Sequence, residues 1–152
     1  MGYIMDLRRE VGTKPLIIVG ASVLIFNENN ELLLQLRKDN ACWGLIGGSM
    51  ELGETLEEVA IREMYEESGL IPTDLELLNV FSGQEFYYQY PHGDEVFNVI
   101  AAYECHSFSG ELKYDEEEAT AIAFFPLNQL PKKLSPPDQQ VINLLKKKVN
   151  NR

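Results

Sequence analysis

A chain of 152 residues, 45% hydrophobic and with a formal net charge of -11, holds enough apolar material for one compact core and little beyond it. That charge, with no Lys/Arg stripe outside Lys146-Lys147-Lys148, excludes a basic surface able to grip a nucleic-acid backbone. A membrane span is excluded too: the apolar run 16–26 is about half the length a spanning helix needs, and residues 1–13 are mixed and charged, unlike a leader.

In chain order, Pro15 precedes the apolar, β-branched run 16–26, and Asn27-Glu28-Asn29-Asn30 turns the chain into Glu31–Arg37, which reads as its hairpin partner. A loop over 38–41 leads to a short strand at 43–46. Thr55 followed three residues later by Glu58 is a capping box, which predicts a helix from Leu56. Gly69 supplies the left-handed residue that ends it near Ser68. Pro72 prevents continuation, and strands are expected over 75–81 and 84–90. The turn Pro91-His92-Gly93-Asp94 separates them from a long strand over 95–108, which Ser109-Gly110 turns. A further strand covers 121–125. Ser135 then caps a last helix with Pro136 at its first position and Val141, Leu144, Leu145 and Val149 on its buried stripe. The three lysines fall in its last turn, where cations complement the helix dipole. No repeat, linker or low-complexity stretch interrupts the pattern, so residues 1–152 read as a single domain of α/β class, helices packed on a mixed sheet. Cys42 and Cys105 are far apart and belong to no metal-ligand spacing, which a reduced, cytoplasmic setting accounts for.

The chemistry is concentrated in 48–70, GSMELGETLEEVAIREMYEESGL. From Gly48 it reads Gly, five residues, Glu54, seven residues, Arg62-Glu63-Met64, one residue, Glu66-Glu67, one residue, Gly69-Leu70. On a helix, Glu63, Glu66 and Glu67 share an arc of about 100°, while Leu56, Val59, Ala60 and Met64 form the stripe that packs on a core. Carboxylates three and four residues apart repel, and Arg62 alone offsets Glu58, Glu63, Glu66 and Glu67. A hard dication among those oxygens, Mg²⁺ or Mn²⁺, resolves the conflict. Most Glu-rich helix faces are simply solvated. Here every specified position of a longer pattern is filled, most at a background frequency of roughly 5–10%, and coincidence is a poor account of that.

The pattern resembles the Nudix box, and on that match the chain is similar to members of the Nudix hydrolase family. The resemblance is specific over 48–70. It extends more loosely over nearly the whole chain, through the strands before the box, Trp43-Gly44-Leu45 with Gly47-Gly48, and Ala123-Phe124-Phe125-Pro126-Leu127 ahead of Leu130-Pro131. It implies the Nudix fold, an α/β/α sandwich with a curved mixed β-sheet, the box loop and helix standing at one end of a substrate cleft. It also implies hydrolysis of a nucleoside diphosphate linked to another moiety, with Mg²⁺ or Mn²⁺ as cofactor and a small-molecule nucleotide as substrate. The alternative is a nucleotide-binding or sensing module without hydrolysis; degenerate boxes usually lack a carboxylate, and this one lacks none. One departure is Ile46, where the family very often has proline. It loosens the turn before the glycines but removes no ligand. A homodimer is left open, since the last helix can pack on its own sheet or on a partner's.

Carried over residue by residue, the resemblance makes Glu63, Glu66 and Glu67 the metal ligands, with the carbonyl of Gly47 or Gly48 as a further one. Glu54 and Arg62 become the pair that braces loop against helix, Glu54 also reaching the metal through water. Gly47 and Gly48 let the backbone pass close to phosphate, and Arg37 is a candidate to assist there. The catalytic set is then Glu67, Glu63, Arg62, Glu54 and a base, which the family draws from the box or from a later loop. Asp115-Glu116-Glu117-Glu118 occupies the place of that loop, with Glu118 and Glu117 as candidates. Phe86-Tyr87-Tyr88 and Tyr90 supply aromatics on which a base can stack, or else ordinary sheet packing. Tyr87, 18 residues past Gly69, stands where the family associates a tyrosine with dinucleoside polyphosphate substrates. No signature for coenzyme A or ADP-ribose is visible, and His92 and His106 lack ligand spacing.

Overall fold

A computed structural model describes residues 2–151. The chain runs α1 (Tyr3–Val11), β1 (Leu16–Ile25), β2 (Glu31–Arg37), β3 (Trp43–Gly44), β4 (Ile46–Ser49), α2 (Leu56–Ser68), β5 (Leu70–Pro72) and β6 (Glu76–Phe81). A 3-10 turn (Gln84–Phe86) then leads to β7 (Tyr87–Gln89), β8 (Glu95–Cys105), β9 (Phe108–Gly110), β10 (Ala119–Pro126) and α3 (Pro136–Asn150).

The two most apolar runs, β1 and β8, lie side by side and parallel, from Leu16 opposite Val96 to Ile25 opposite Cys105. A strand apolar on both faces must be covered on both, and these are. Ala21, Val23 and Ile25 of β1 join Ala101, Tyr103 and Cys105 of β8 against Val59, Ala60 and Met64 of α2. On the other face Leu24, Ile100 and Ala102, with Leu32 and Leu34 of β2, meet Val141, Ile142 and Leu145 of α3. Each valine, leucine, isoleucine or methionine among them contributes about 1.5–3 kcal/mol on leaving water, so both helices are held by their apolar stripes. The result is an α/β sandwich with helices on opposite faces of a mixed sheet, ordered β4-β1-β8-β6 with β7 also on β8. A second sheet, β10-β2-β3, and the β5-β9 ribbon complete it. The last helix packs on its own sheet. Among the described residues no helix is long and apolar enough to cross a membrane.

Several expectations need correction. The turn at 27–30 forms, its Asn27 Oδ1 accepting the N–H groups of Asn29 and Glu31, but beyond it only Phe26 and Leu32 bridge. β1 has two hydrogen-bonding edges, and β4 and β8 occupy both, so β2 pairs instead with β10 and β3. The strand expected over 84–90 is reduced to β7, because Phe86 turns into the core on the α3 side. The strand expected to reach 108 ends at Cys105; Ser109 and Gly110 then pair with Ile71 and Leu70 in β9 and β5. On α3, Ile142 is buried where Val149 was expected, and Val149 is exposed. Helix α1 went unforeseen because it buries no residue completely and has no side-chain cap. It is fastened by polar contacts: Tyr3 N–H donates to Glu51 Oε1 at 2.9 Å, and the Arg8 guanidinium donates to the carbonyls of Gly12, Lys14 and Glu95.

Candidate active site

Helix α2 starts at the capping box, Thr55 Oγ1 accepting from Glu58 N–H at 3.1 Å and Glu58 Oε1 from Thr55 N–H at 2.9 Å. It ends at Gly69, with φ of 75°. With Val59, Ala60 and Met64 sunk in the core, the next face of the helix is turned toward the Gly47-Gly48 backbone of β4. Glu67, 8% exposed, accepts the Gly47 N–H at 2.7 Å. Glu63 lies so close to Gly48 that a Cβ there would stand 2.4 Å from the Glu63 carboxyl carbon, and a Cβ on Gly47 would meet the Ala21 carbonyl oxygen at 2.4 Å. Only glycines permit this approach.

Arg62 ties the loop to the helix. Its Nε donates to Glu54 Oε2 at 2.7 Å, its Nη2 to Glu54 Oε1 at 2.9 Å and to the Ser49 carbonyl at 3.0 Å, and its Nη1 to Glu63 Oε1 at 2.6 Å. Glu66 is reached only at 3.4 Å and is half exposed. Glu54 also accepts the Glu51 N–H, and with Arg62 against it its carboxyl is held below the ordinary range. Arg62→Ala would leave Glu54, Glu63 and Glu66 facing one another without a counter-charge. The expected loss is about 1–2 kcal/mol, discounted for a partly exposed site, or a Tm drop of roughly 2–8 °C in thermal denaturation. Arg62→Lys should recover less than half of it, because an ammonium cannot reproduce the fork.

The two inner carboxyls are pushed the other way. Burial raises Glu63 to about 7, against the pull of Arg62. Burial and then the neighbouring Glu63 raise Glu67 to about 8, against the Gly47 N–H. A buried carboxyl and a partly buried one that hinder each other's ionisation, in a cradle that Gly48 keeps open, form an all-oxygen donor set suited to a hard dication. As they stand, Glu63 rests on Arg62 and Glu67 on Gly47, and among the described residues no three such groups already converge on one point. The groups able to hold an ion are Glu63 and Glu67, with Glu66 at the outer margin and the Gly48 carbonyl, which stands over Gly20.

These residues line a chamber of about 420 Å³ whose other walls carry Ile4 and Met5 of α1 and Asp115 and Glu118 of the loop before β10. A second chamber of about 110 Å³ adjoins it, lined by Asn40, Leu45, Tyr88 and Asp138. Arg37, Gly47, Gly48, Ser49 and Tyr90 border both. Arg37 is forked onto Asp39 at 3.0 and 2.6 Å. Burial by itself would lower its pKa, and the Asp39 bonds reverse that, so the guanidinium stays charged.

A family model described as NUDIX domain matches residues 17–145. The chain belongs to the Nudix hydrolase family. Among its relatives, a protein from Methanocaldococcus jannaschii described as ADP-ribose pyrophosphatase is 40% identical over 111 residues, 71% of this chain and 62% of that protein. The chain spans 62% or less of the length of the first curated relatives it matches. The crystal structure of a MutT NUDIX hydrolase from Burkholderia pseudomallei shares the fold with a TM-score of 0.72 at 27% identity, covering 86% of this chain and 98% of that one. The NUDIX domain of Shewanella oneidensis NrtR, solved with ADP ribose, gives 0.70 at 18% identity over 98% and 99% of the two chains, a likeness of fold alone.

In this Nudix chain the box residues Glu54, Arg62, Glu63 and Glu67 come together with Gly47 and Gly48, Glu66 stands outside them, and Arg37 lies where the chambers meet. Glu118 faces the large chamber while Glu117, its N–H bonded to Asp115 Oδ1, does not line it. Tyr87 requires correction: strand alternation turns it off the cleft, where its hydroxyl donates to Glu95 and its ring packs on Phe97, and Tyr88 lines the chamber instead. Asp138 is not among the candidates that the sequence offers. It has no cap to make, since the Ser135 N–H goes to the Trp43 carbonyl, and its Oδ2 accepts the Leu45 N–H at 3.0 Å. Burial pushes its carboxyl up to about 6. An acid just past two prolines was the available signal.

Proposed function

We propose that the chain is a divalent-metal-dependent pyrophosphohydrolase that cleaves the diphosphate of a nucleoside diphosphate linked to another moiety, with Mg²⁺ or Mn²⁺ as its ion. The observation that carries this is the pair of Glu63, partly buried, and Glu67, buried, beneath Gly47-Gly48, with Arg62 fixing the first and the Gly47 N–H the second. A bound dication supplies neutralisation of the diphosphate and a water of lowered pKa. The chain's residues do the rest. Glu63 and Glu67 give up their protons and present oxygens to the ion, while Arg62 holds the box loop still. Arg37, exchanging Asp39 for a phosphate oxygen, draws the diphosphate to the junction of the chambers. Glu118, on the wall of the same chamber, accepts the proton of the attacking water.

The small chamber suits a nucleobase, with Tyr88 and Tyr90 as the aromatic side and Asp138 as the acceptor for an exocyclic amine. A two-ended substrate of the ADP-ribose or dinucleoside polyphosphate kind leaves its second moiety in the large chamber, against α1. The M. jannaschii relative's description favours the former, and the support Tyr87 lent to the latter is gone. Incubation with nucleoside triphosphates, diadenosine polyphosphates, ADP-ribose and nucleotide sugars plus Mg²⁺ tests the reading. Turnover of at least one compound into two phosphate-containing products is expected; binding of the same compounds without turnover would establish the non-hydrolytic alternative. With the best substrate, Asp138→Asn should raise KM about 10-fold and leave kcat nearly unchanged in steady-state kinetics.

A further inference from the structure

Gln35 sits in the middle of β2, 1% exposed, with Gly44 and Ile122 as its cross-strand neighbours. Its strand companions Leu32, Leu33 and Leu34 are completely buried, and an amide in such company is unfavourable unless its polar atoms are bonded. Among the described residues its Oε1 has no hydrogen-bond partner, and the amide lies against the Glu67 carboxyl, whose pKa it pulls down. Alternation along β2 puts Leu33, Gln35 and Arg37 on one face. Leu33 belongs to the core beneath α2 and Arg37 to the cleft, so Gln35 stands between core and cleft on the face of β2 that they share. Glu67 thus accepts the Gly47 N–H of β4 on one side and has the Gln35 amide of β2 beside it on another.

A methionine or leucine would fill the place without stranding an acceptor, so packing gives no reason for glutamine. We propose that Gln35 is a positioning residue for Glu67, fixing the carboxylate in the orientation in which it meets the divalent ion. The inference rests on the reading of Glu67 as a ligand in the proposed function. Partners of this kind behind a ligand typically change metal affinity or activity 10–100-fold.

The test is Gln35→Met and Gln35→Leu in the full chain, with Mn²⁺ affinity by calorimetry, kcat and KM on the best substrate, and Tm. The expected result is Tm equal to or above wild type, Mn²⁺ Kd raised about 10-fold or more, and kcat lowered by a similar factor with KM little changed. In a Glu67→Gln background, Gln35→Met should alter Mn²⁺ affinity less than about twofold, since the group it positions is gone. Wild-type Mn²⁺ affinity in a folded variant, a fall in Tm with affinity preserved, or an undiminished effect in the Glu67→Gln background would each overturn the proposal. If neither variant folds, the wild-type protein decides: the Gln35 side-chain amide resonances should shift and saturate on Mg²⁺ titration, and resonances that stay in place would overturn it. Absence of Mn²⁺ uptake by the wild-type chain is a different result, which removes the metal reading of the box itself.

Discussion

Glu67→Gln is expected to lower kcat by about 1000-fold or more, with Tm unchanged or slightly raised. Both halves follow from the surroundings of the side chain. The Glu67 carboxyl is buried and pushed up to about 8, so much of it is already neutral in the metal-free chain at neutral pH. Glutamine is neutral, has the same shape and keeps an oxygen to accept the Gly47 N–H. The fold therefore loses nothing, and relief of the repulsion from Glu63 adds a little. On the proposed reading of Glu67 as a ligand, chemistry loses a full negative charge where the ion and the diphosphate would meet. Combining the change with Glu63→Gln should reduce the rate hardly further, because residues that serve one ion act as a unit. The measurements are turnover with Mg²⁺, and circular dichroism with thermal denaturation. Activity near wild type in a folded Glu67→Gln chain would remove Glu67 from the site.

The parts of this molecule that the sequence displays are those fixed by neighbours along the chain. Thr55 and Glu58 cap each other across one turn, Gly69 closes the same helix, and the spacing of Val59, Ala60 and Met64 settles which way Glu63 and Glu67 face. All of that lies within a few helical turns. The continuous apolar runs of β1 and β8 likewise announce strands buried on both faces. What stayed hidden depends on competition between distant segments. Nothing near Asn27 records that β4 and β8 occupy both edges of β1 and leave β2 to β10. Tyr87 and Tyr88 differ only in parity, and parity is set by which residue of β7 opposes Phe97, a pairing across a loop. Asp138 reaches the cleft through Leu45, a contact between residues far apart in the chain. Gln35 reads as an ordinary strand residue until α2 brings Glu67 against it.

The acidity of the chain also gains a location. A net charge of -11 works against an anionic substrate. In the cleft, however, Glu54 is matched by Arg62, Glu63 and Glu67 are raised toward neutrality, and Arg37 stays charged at the junction of the chambers. Glu51, Glu66, Asp115 and Glu118 also line the large chamber, so a dication is what would offset the remaining negative charge there.

Removal of divalent metal should abolish turnover and expose an unusual pH dependence of stability. Glu63, Glu67 and Asp138 have folded-state values raised to about 7, 8 and 6 from ordinary values of 4.5, 4.5 and 3.8. Between those limits the folded chain binds more protons than the unfolded one, so stability declines as pH rises. Their contribution is complete below the ordinary carboxylate range and is lost as pH climbs through 6, 7 and 8. Asp39 and Glu54, whose values are lowered, act in the opposite sense and only under more acidic conditions, so they leave this window alone. With chelator present, Tm should fall by several degrees from about pH 5.5 to about pH 8.5. A dication needs the same carboxylates ionised, so the rise in Tm on adding Mg²⁺ should be small at the acid end and largest at the alkaline end. Glu67→Gln should flatten both trends, since it removes the group with the largest shift from the pair. A metal-free chain whose Tm does not change over this range, or a Mg²⁺ stabilisation that does not grow with pH, would show that Glu63 and Glu67 are not protonated in the folded apoprotein and that the ion does not take the place of their protons.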